Sequence, residues 1–258
     1  MSEIIQIIPP LSNKSQVIVF AKGFLTQDST FDEHDAWVKA LSQVALSLGY
    51  GLSYIKWDAQ SVSNNKIRNI RDRYKLIQQS IDTWRAAVKA SDIASKQLRL
   101  FLRQAECPIT LIGHSLGARL ILRAAEFVPQ NSIHKMIALA PAYDQSECKF
   151  ERVIRAVTTK PIIMFSRKDY ILSEMFSLNP ACSNVAGGLT ALRNKDTKGI
   201  LVNLASILSA RITSAPLGIM GVPKKFEHSF ICIDKTPYSH FEYSQNIESV
   251  LHDHLINP

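Results

Sequence analysis

The feature that most constrains this chain lies between residues 108 and 129. Pro108 opens a short β-branched apolar run, 109–112, which meets the pentapeptide Gly113-His114-Ser115-Leu116-Gly117, and a helical pattern then runs to Val128 before Pro129 ends it. A strand, a tight turn and a helix in that order leave one hydroxyl, that of Ser115, in the turn. In such a turn a side chain at Gly113 or Gly117 would press on neighbouring backbone, and the strain lifts the serine Oγ above the sheet. The Leu116 N–H, at the positive end of the following helix, is then placed to stabilise a developing oxyanion. The pattern Gly-x-Ser-x-Gly is short enough to arise by accident; its setting between a buried strand and a helix carries the reading.

The rest of the chain keeps the same rhythm. Residues 17–20, 52–57, 135–139, 162–165 and 230–233 read as strands, and 32–48, 66–104, 150–156 and 244–255 as helices. The long helix is expected to break near Ser91-Asp92, with Ser91 capping its second piece, and Ser244 is expected to cap the last helix. Strands alternating with helices predict an α/β fold, a mostly parallel sheet with helices on both faces. At 258 residues one such domain, 1–258, accounts for the chain. Residues 177–227 interrupt the rhythm, and we expect an insertion or lid there, ahead of the last strand, with apolar stretches at 200–212 and 215–222.

A serine hydroxyl is a weak nucleophile without a base, and the base needs an orienting acid. Ser166-Arg167-Lys168-Asp169 follows the strand 162–165, and His240 stands just before the last helix. Ser115, Asp169 and His240 are therefore the candidate nucleophile, acid and base. Asp144, after the strand 135–139, is the alternative acid. His228, ahead of the last strand, is expected on the wrong edge of the sheet. His114 is expected to pack or hydrogen-bond with its side chain directed away from Ser115, without a catalytic role. The loop Phe20-Ala21-Lys22-Gly23-Phe24 offers the Phe24 N–H as a second oxyanion donor beside that of Leu116.

With Gly-His-Ser-Leu-Gly in that setting and the chain order serine, aspartate, histidine, the sequence resembles the α/β-hydrolase superfamily of serine esterases and lipases. The resemblance spans nearly the whole chain. It implies hydrolysis of a small-molecule or lipid ester or thioester, with no metal or organic cofactor. More narrowly, residues 17–24 (VIVFAKGF), Trp37, Lys56-Trp57, residues 109–120 (ITLIGHSLGARL) and Asp169-Tyr170-Ile171-Leu172 resemble the transmembrane and coiled-coil domain proteins of unknown function. Lys22-Gly23 departs from the His-Gly found in many hydrolases at the oxyanion loop. The membrane spans of the narrower relatives have no counterpart, because no apolar run approaches the roughly 18 residues a transmembrane helix needs.

Charge supplies the competing reading. Ten of the 30 Lys and Arg fall between residues 66 and 105 against three Asp, which leaves nearly all of the net charge of +8 in one segment. A non-catalytic hydrolase-fold module could use it to dock an anionic membrane surface or nucleic acid. The basic residues read as distributed around the helix without a ladder of exposed aromatics, which favours a solvated helix face and disfavours nucleic acid. Cys107, Cys148, Cys182 and Cys232 lack metal-ligand or disulfide spacing, and the N-terminus lacks a basic secretory leader, so the cytoplasm is the expected compartment.

Overall fold

The computed structural model describes residues 5–8, 16–24, 36–59, 70–177, 216–236, 238–240 and 242–255. In chain order these form β1 (Ile5–Ile8), β2 (Val17–Ala21), α1 (Ala36–Leu48), β3 (Gly51–Trp57), α2 (Ile70–Gln104), β4 (Ile109–His114), α3 (Leu116–Ala125) and β5 (Lys135–Leu139). There follow α4 (Phe150–Ala156), β6 (Ile162–Phe165), α5 (Tyr170–Ser177), α6 (Leu217–Met220), a 3-10 turn (Lys224–Ser229), β7 (Ile231–Asp234) and α7 (Glu242–Leu255).

The seven strands make one sheet in the order β1-β3-β2-β4-β5-β6-β7. β2 to β7 are parallel and β1 runs antiparallel to β3. The fold is the expected α/β one, a mostly parallel sheet with helices packed against it. Right-handed crossovers put α1 on one face and α2, α3 and α4 on the other, because the connection from β2 to β3 steps in the opposite direction from the later ones. α7 returns to pack on α1, and α2 packs along α3. β2, β4 and β5 are buried at every position, and apart from Thr110, His114 and Lys135 they are apolar throughout rather than alternating.

Helix ends follow local chemistry. α1 buries Leu41, Val44 and Ala45 and stops at Gly49, whose φ of 67° is the left-handed cap geometry. The Gly49 and Tyr50 N–H groups then donate to Leu46 O and Ala45 O, closing a Schellman motif.

Several expectations are corrected. The long helix does not break at Ser91: the Ser91 hydroxyl turns back to Val88 O at 2.7 Å within an unbroken α2 of 35 residues. A hydroxyl satisfied by its own helix has no need to cap a new one. Ser244 likewise lies inside α7, which begins two residues earlier at Glu242, where the carboxylate accepts the Ser239 N–H. The last strand runs from Ile231 to Asp234, one residue later than expected. Between residues 82 and 104, the part of α2 whose burial is described, the basic residues gather away from the buried row. Arg85, Lys89, Lys96, Arg99 and Arg103 succeed one another at helical spacings opposite the buried row Trp84, Ala87, Ser91, Ala94, Leu98 and Leu102.

Most of the expected insertion at 177–227, including the apolar stretch 200–212, lies outside the described residues. Its end is clamped at the carboxyl edge of the sheet. Leu217 N–H donates to Tyr143 O, Gly218 N–H to Pro141 O and Ser166 N–H to Gly218 O, each at 2.9 Å. No helix among the described residues is long and apolar enough to cross a membrane.

Candidate active site

Register brings the candidate residues to one edge. Ala21 pairs with Gly113, His114 with Leu139 and Phe165 with Asp234, so the loops after β2, β4, β5, β6 and β7 all open on the carboxyl edge, where ligands bind in such sheets.

The turn after β4 has the strain the sequence implies. Ser115 sits at φ 56° and ψ −121°, a conformation that costs a non-glycine residue free energy. Its backbone is stapled on both sides: Ser115 N–H donates to Leu139 O at 3.0 Å, and Ser115 O accepts from Arg119 N–H and Ala142 N–H at 3.1 Å each. A Cβ on Gly117 would lie 2.2 Å from Ala21 O, and one on Gly113 would lie 2.7 Å from Gly117 O, so both glycines are required for close approach of backbone. Leu116 opens α3, and its N–H belongs to the first turn, which has no intrahelical acceptor.

The β2 loop closes over the same point. A Cβ on Gly23 would stand 2.7 Å from Ser115 Cβ. The Trp57 indole N–H donates to Lys22 O at 3.1 Å, and the half-buried Phe24 ring meets Trp84 edge-on at 5.2 Å. Phe24, the expected second donor, therefore follows immediately on a residue packed against Ser115.

Of the two candidate acids, Asp169 lies at hydrogen-bonding distance from His240. His240 Nδ1–H donates to Asp169 Oδ2 at 2.7 Å, and Asp169 Oδ1 accepts the Leu172 N–H at 3.0 Å. Both side chains are buried. Ser166 Oγ–H donates to Tyr238 O at 2.6 Å, tying the acid loop to the base loop. Asp144 is engaged locally: its Oδ1 accepts the Ser146 N–H at 2.7 Å and the Ser146 hydroxyl at 2.6 Å. His228 is exposed in the 3-10 turn ahead of β7, away from this edge.

One neighbour carries more than the sequence suggested. The His114 Nε2 lies 3.0 Å from the backbone carbonyl of His240, and the two imidazoles lie tilted with their centres 4.7 Å apart, with the Trp37 ring 5.0 Å from that of His114. Burial, aided by the neighbouring His240, holds the His114 pKa well below the usual imidazole value. Burial and then the Asp169 carboxylate push the Tyr243 phenol up, so it stays protonated. Nothing in the sequence pointed to the pairing of His114 with His240, which are 126 residues apart. Ser166 was equally invisible as a tie between the two loops.

Solved structures similar to the chain include an α/β serine hydrolase of Xanthomonas campestris described as lacking a lid (13% identity, 98% of this chain and 87% of that one, TM-score 0.44). Others are the mouse α/β hydrolase domain-containing protein 10 (14%, 98% and 93%, TM-score 0.43) and the poly(3-hydroxybutyrate) depolymerase LpqC of Bordetella parapertussis (15%, 97% and 83%, TM-score 0.45). In sequence, the rice transmembrane and coiled-coil domain-containing protein STS1 is 27% identical over 139 residues, 49% of this chain. That match takes in 21% of the length of the rice protein. The profile of a family described as proteins of unknown function, DUF726, matches residues 75–214, a stretch that runs from α2 through the Ser115 turn and Asp169, and the chain belongs to that family.

Proposed function

We propose that this chain is a serine hydrolase that cleaves a carboxylic ester or thioester of a small molecule or lipid through an acyl-enzyme. Ser115 Oγ attacks the acyl carbon as His240 Nε2 takes its proton. The Leu116 and Phe24 N–H groups hold the oxyanion, and His240 returns the proton to the leaving group. Water then repeats the sequence on the acyl-enzyme and regenerates Ser115. Asp169 keeps the His240 Nδ1–H in place and stabilises the imidazolium. The reading rests above all on the buried 2.7 Å hydrogen bond from His240 to Asp169, made at the same sheet edge as the strained Ser115 turn. The test is labelling by a fluorophosphonate probe and hydrolysis of short p-nitrophenyl esters. Ser115→Ala is expected to abolish both without lowering the unfolding midpoint, and labelling of that variant at the wild-type rate overturns the assignment.

A second reading, docking to an anionic membrane surface, is favoured by the collected basic face of α2. That face ends beside Phe127, which Arg99, Arg152 and Arg123 approach at 4.3, 5.4 and 5.8 Å from the ring centre. Leu100 is exposed on the same stretch. Replacing Lys89, Lys96, Arg99 and Arg103 by Glu is expected to abolish salt-sensitive binding to acidic liposomes. Absence of wild-type binding at low salt removes this reading and leaves the hydrolase reading untouched.

A further inference from the structure

We infer that His114 is a positioning residue that fixes the base against the nucleophile by donating its Nε2–H to the backbone carbonyl of His240. The inference rests on the hydrolase reading and deepens it. A carbonyl oxygen only accepts, so the 3.0 Å contact requires the hydrogen on Nε2 of His114. His114 is 7% exposed and enclosed by Trp37, Tyr243 and His240 at ring separations of 5.0, 6.0 and 4.7 Å. A buried imidazole of this kind stays neutral, with Nδ1 left as an acceptor.

The position in the chain gives the bond its consequence. His114 is the last residue of β4 and is joined by one peptide to Ser115, while His240 lies on the loop between β7 and α7. Asp169 holds the His240 ring through Nδ1, and Ser166 holds the loop two residues earlier at Tyr238. Neither contact ties the base to the β4 turn that carries the nucleophile. The His114 bond does, and sets the backbone of the base against the strand that presents Ser115. Its neutrality matters as well, because a second positive charge 4.7 Å away would oppose formation of the His240 imidazolium.

Two substitutions separate positioning from packing. His114→Gln keeps an N–H donor near the Nε2 position and loses the aromatic ring. His114→Phe keeps the ring against Trp37 and Tyr243 and loses the donor. Positioning predicts that His114→Phe loses kcat by about tenfold to a hundredfold with KM little changed, and that His114→Gln restores most of it. A packing role predicts the reverse order, and kcat in the Phe variant equal to or above that in the Gln variant overturns the inference. If either variant does not fold, nitrogen NMR of wild-type histidines decides. His114 is expected as a neutral Nε2–H tautomer between pH 5.5 and 8, and an Nδ1–H tautomer or a charged ring overturns the inference. Wild-type protein that resists the fluorophosphonate probe while showing the expected tautomer counts against the hydrolase reading alone.

Discussion

Arg119 and Asp92, 27 residues apart in the chain, meet in a two-pronged ion pair, with Nε and Nη2 of the arginine each 3.2 Å from a carboxylate oxygen. The same guanidinium reaches Glu147 at 3.1 Å and lies over the Tyr143 ring. Two turns further on, at the end of the helix, the Glu126 carboxylate, fully buried, accepts from the Tyr143 hydroxyl at 2.6 Å, from Arg123 at 2.8 Å and from the Lys149 N–H at 3.0 Å. Charge therefore fastens the helix behind Ser115 both to α2 and to the loop after β5.

Because the Arg119 side chain is buried while Asp92 and Glu147 are partly exposed, Arg119→Met removes the charge but leaves acids that water can reach. We expect a loss of about 2 kcal/mol, below the 3–5 kcal/mol of a fully enclosed pair. Arg85→Met, which breaks an exposed pair with Asp82, should cost less than about 1 kcal/mol. Denaturant unfolding of the two variants measures the contrast, and equal losses contradict it.

Gly117→Ala is expected to be among the most damaging substitutions in the chain. The added methyl carbon would stand 2.2 Å from Ala21 O and 2.4 Å from Lys22 O, and both contacts are backbone of a central strand and its loop. Relief requires moving α3 or the β2 loop, at a cost above about 3 kcal/mol. A soluble variant with wild-type thermal stability contradicts this account.

Sequence showed the skeleton of this arrangement because its signals are local. The apolar runs of β4, β5 and β6, the glycine-flanked Ser115, and an acid and a base after later strands can each be read within a dozen residues. Contacts between distant segments could not be read that way. Ser91-Asp92 resembles a helix start by propensity; only Val88 O beneath the Ser91 hydroxyl and Arg119 against the Asp92 carboxylate explain why α2 runs on. β1 was not among the strands read from the sequence, since its antiparallel pairing with β3 is a relation between segments some 50 residues apart. The partner of His114 was hidden for the same reason.

A neutral buried His114 predicts a signature in stability. Its folded pKa is lowered, chiefly by burial, so below about pH 6.5 the unfolded chain takes up a proton that the folded chain refuses. Its contribution is therefore intact above the ordinary imidazole value and falls as the pH drops below it, by at most about 1.4 kcal/mol per pH unit. Thermal midpoints of wild type and His114→Gln, compared at pH 7.5 and pH 5.5, should show the larger acid-side fall in wild type. Parallel falls would mean that His114 is protonated in the folded protein.

The choice between the two carboxylates yields the sharpest functional expectation. Asp169 directs one oxygen at His240 Nδ1 and fixes the other with the Leu172 N–H, so its negative charge is oriented from both sides. Asn at that position keeps the volume but presents either an uncharged oxygen or an N–H to the imidazole, and the N–H selects the tautomer that leaves Nε2 protonated and unable to accept the Ser115 proton. Asp169→Asn should then lower kcat by roughly 10³- to 10⁴-fold with little change in KM. Asp144 spends its Oδ1 on the Ser146 N–H and hydroxyl in its own turn, where an amide oxygen can accept the same hydrogen bonds. Asp144→Asn should therefore leave kcat within about tenfold of wild type and act mainly on stability. Steady-state hydrolysis of a p-nitrophenyl ester by both variants measures the difference, and a greater loss in kcat for Asp144→Asn than for Asp169→Asn would reverse the assignment of the acid.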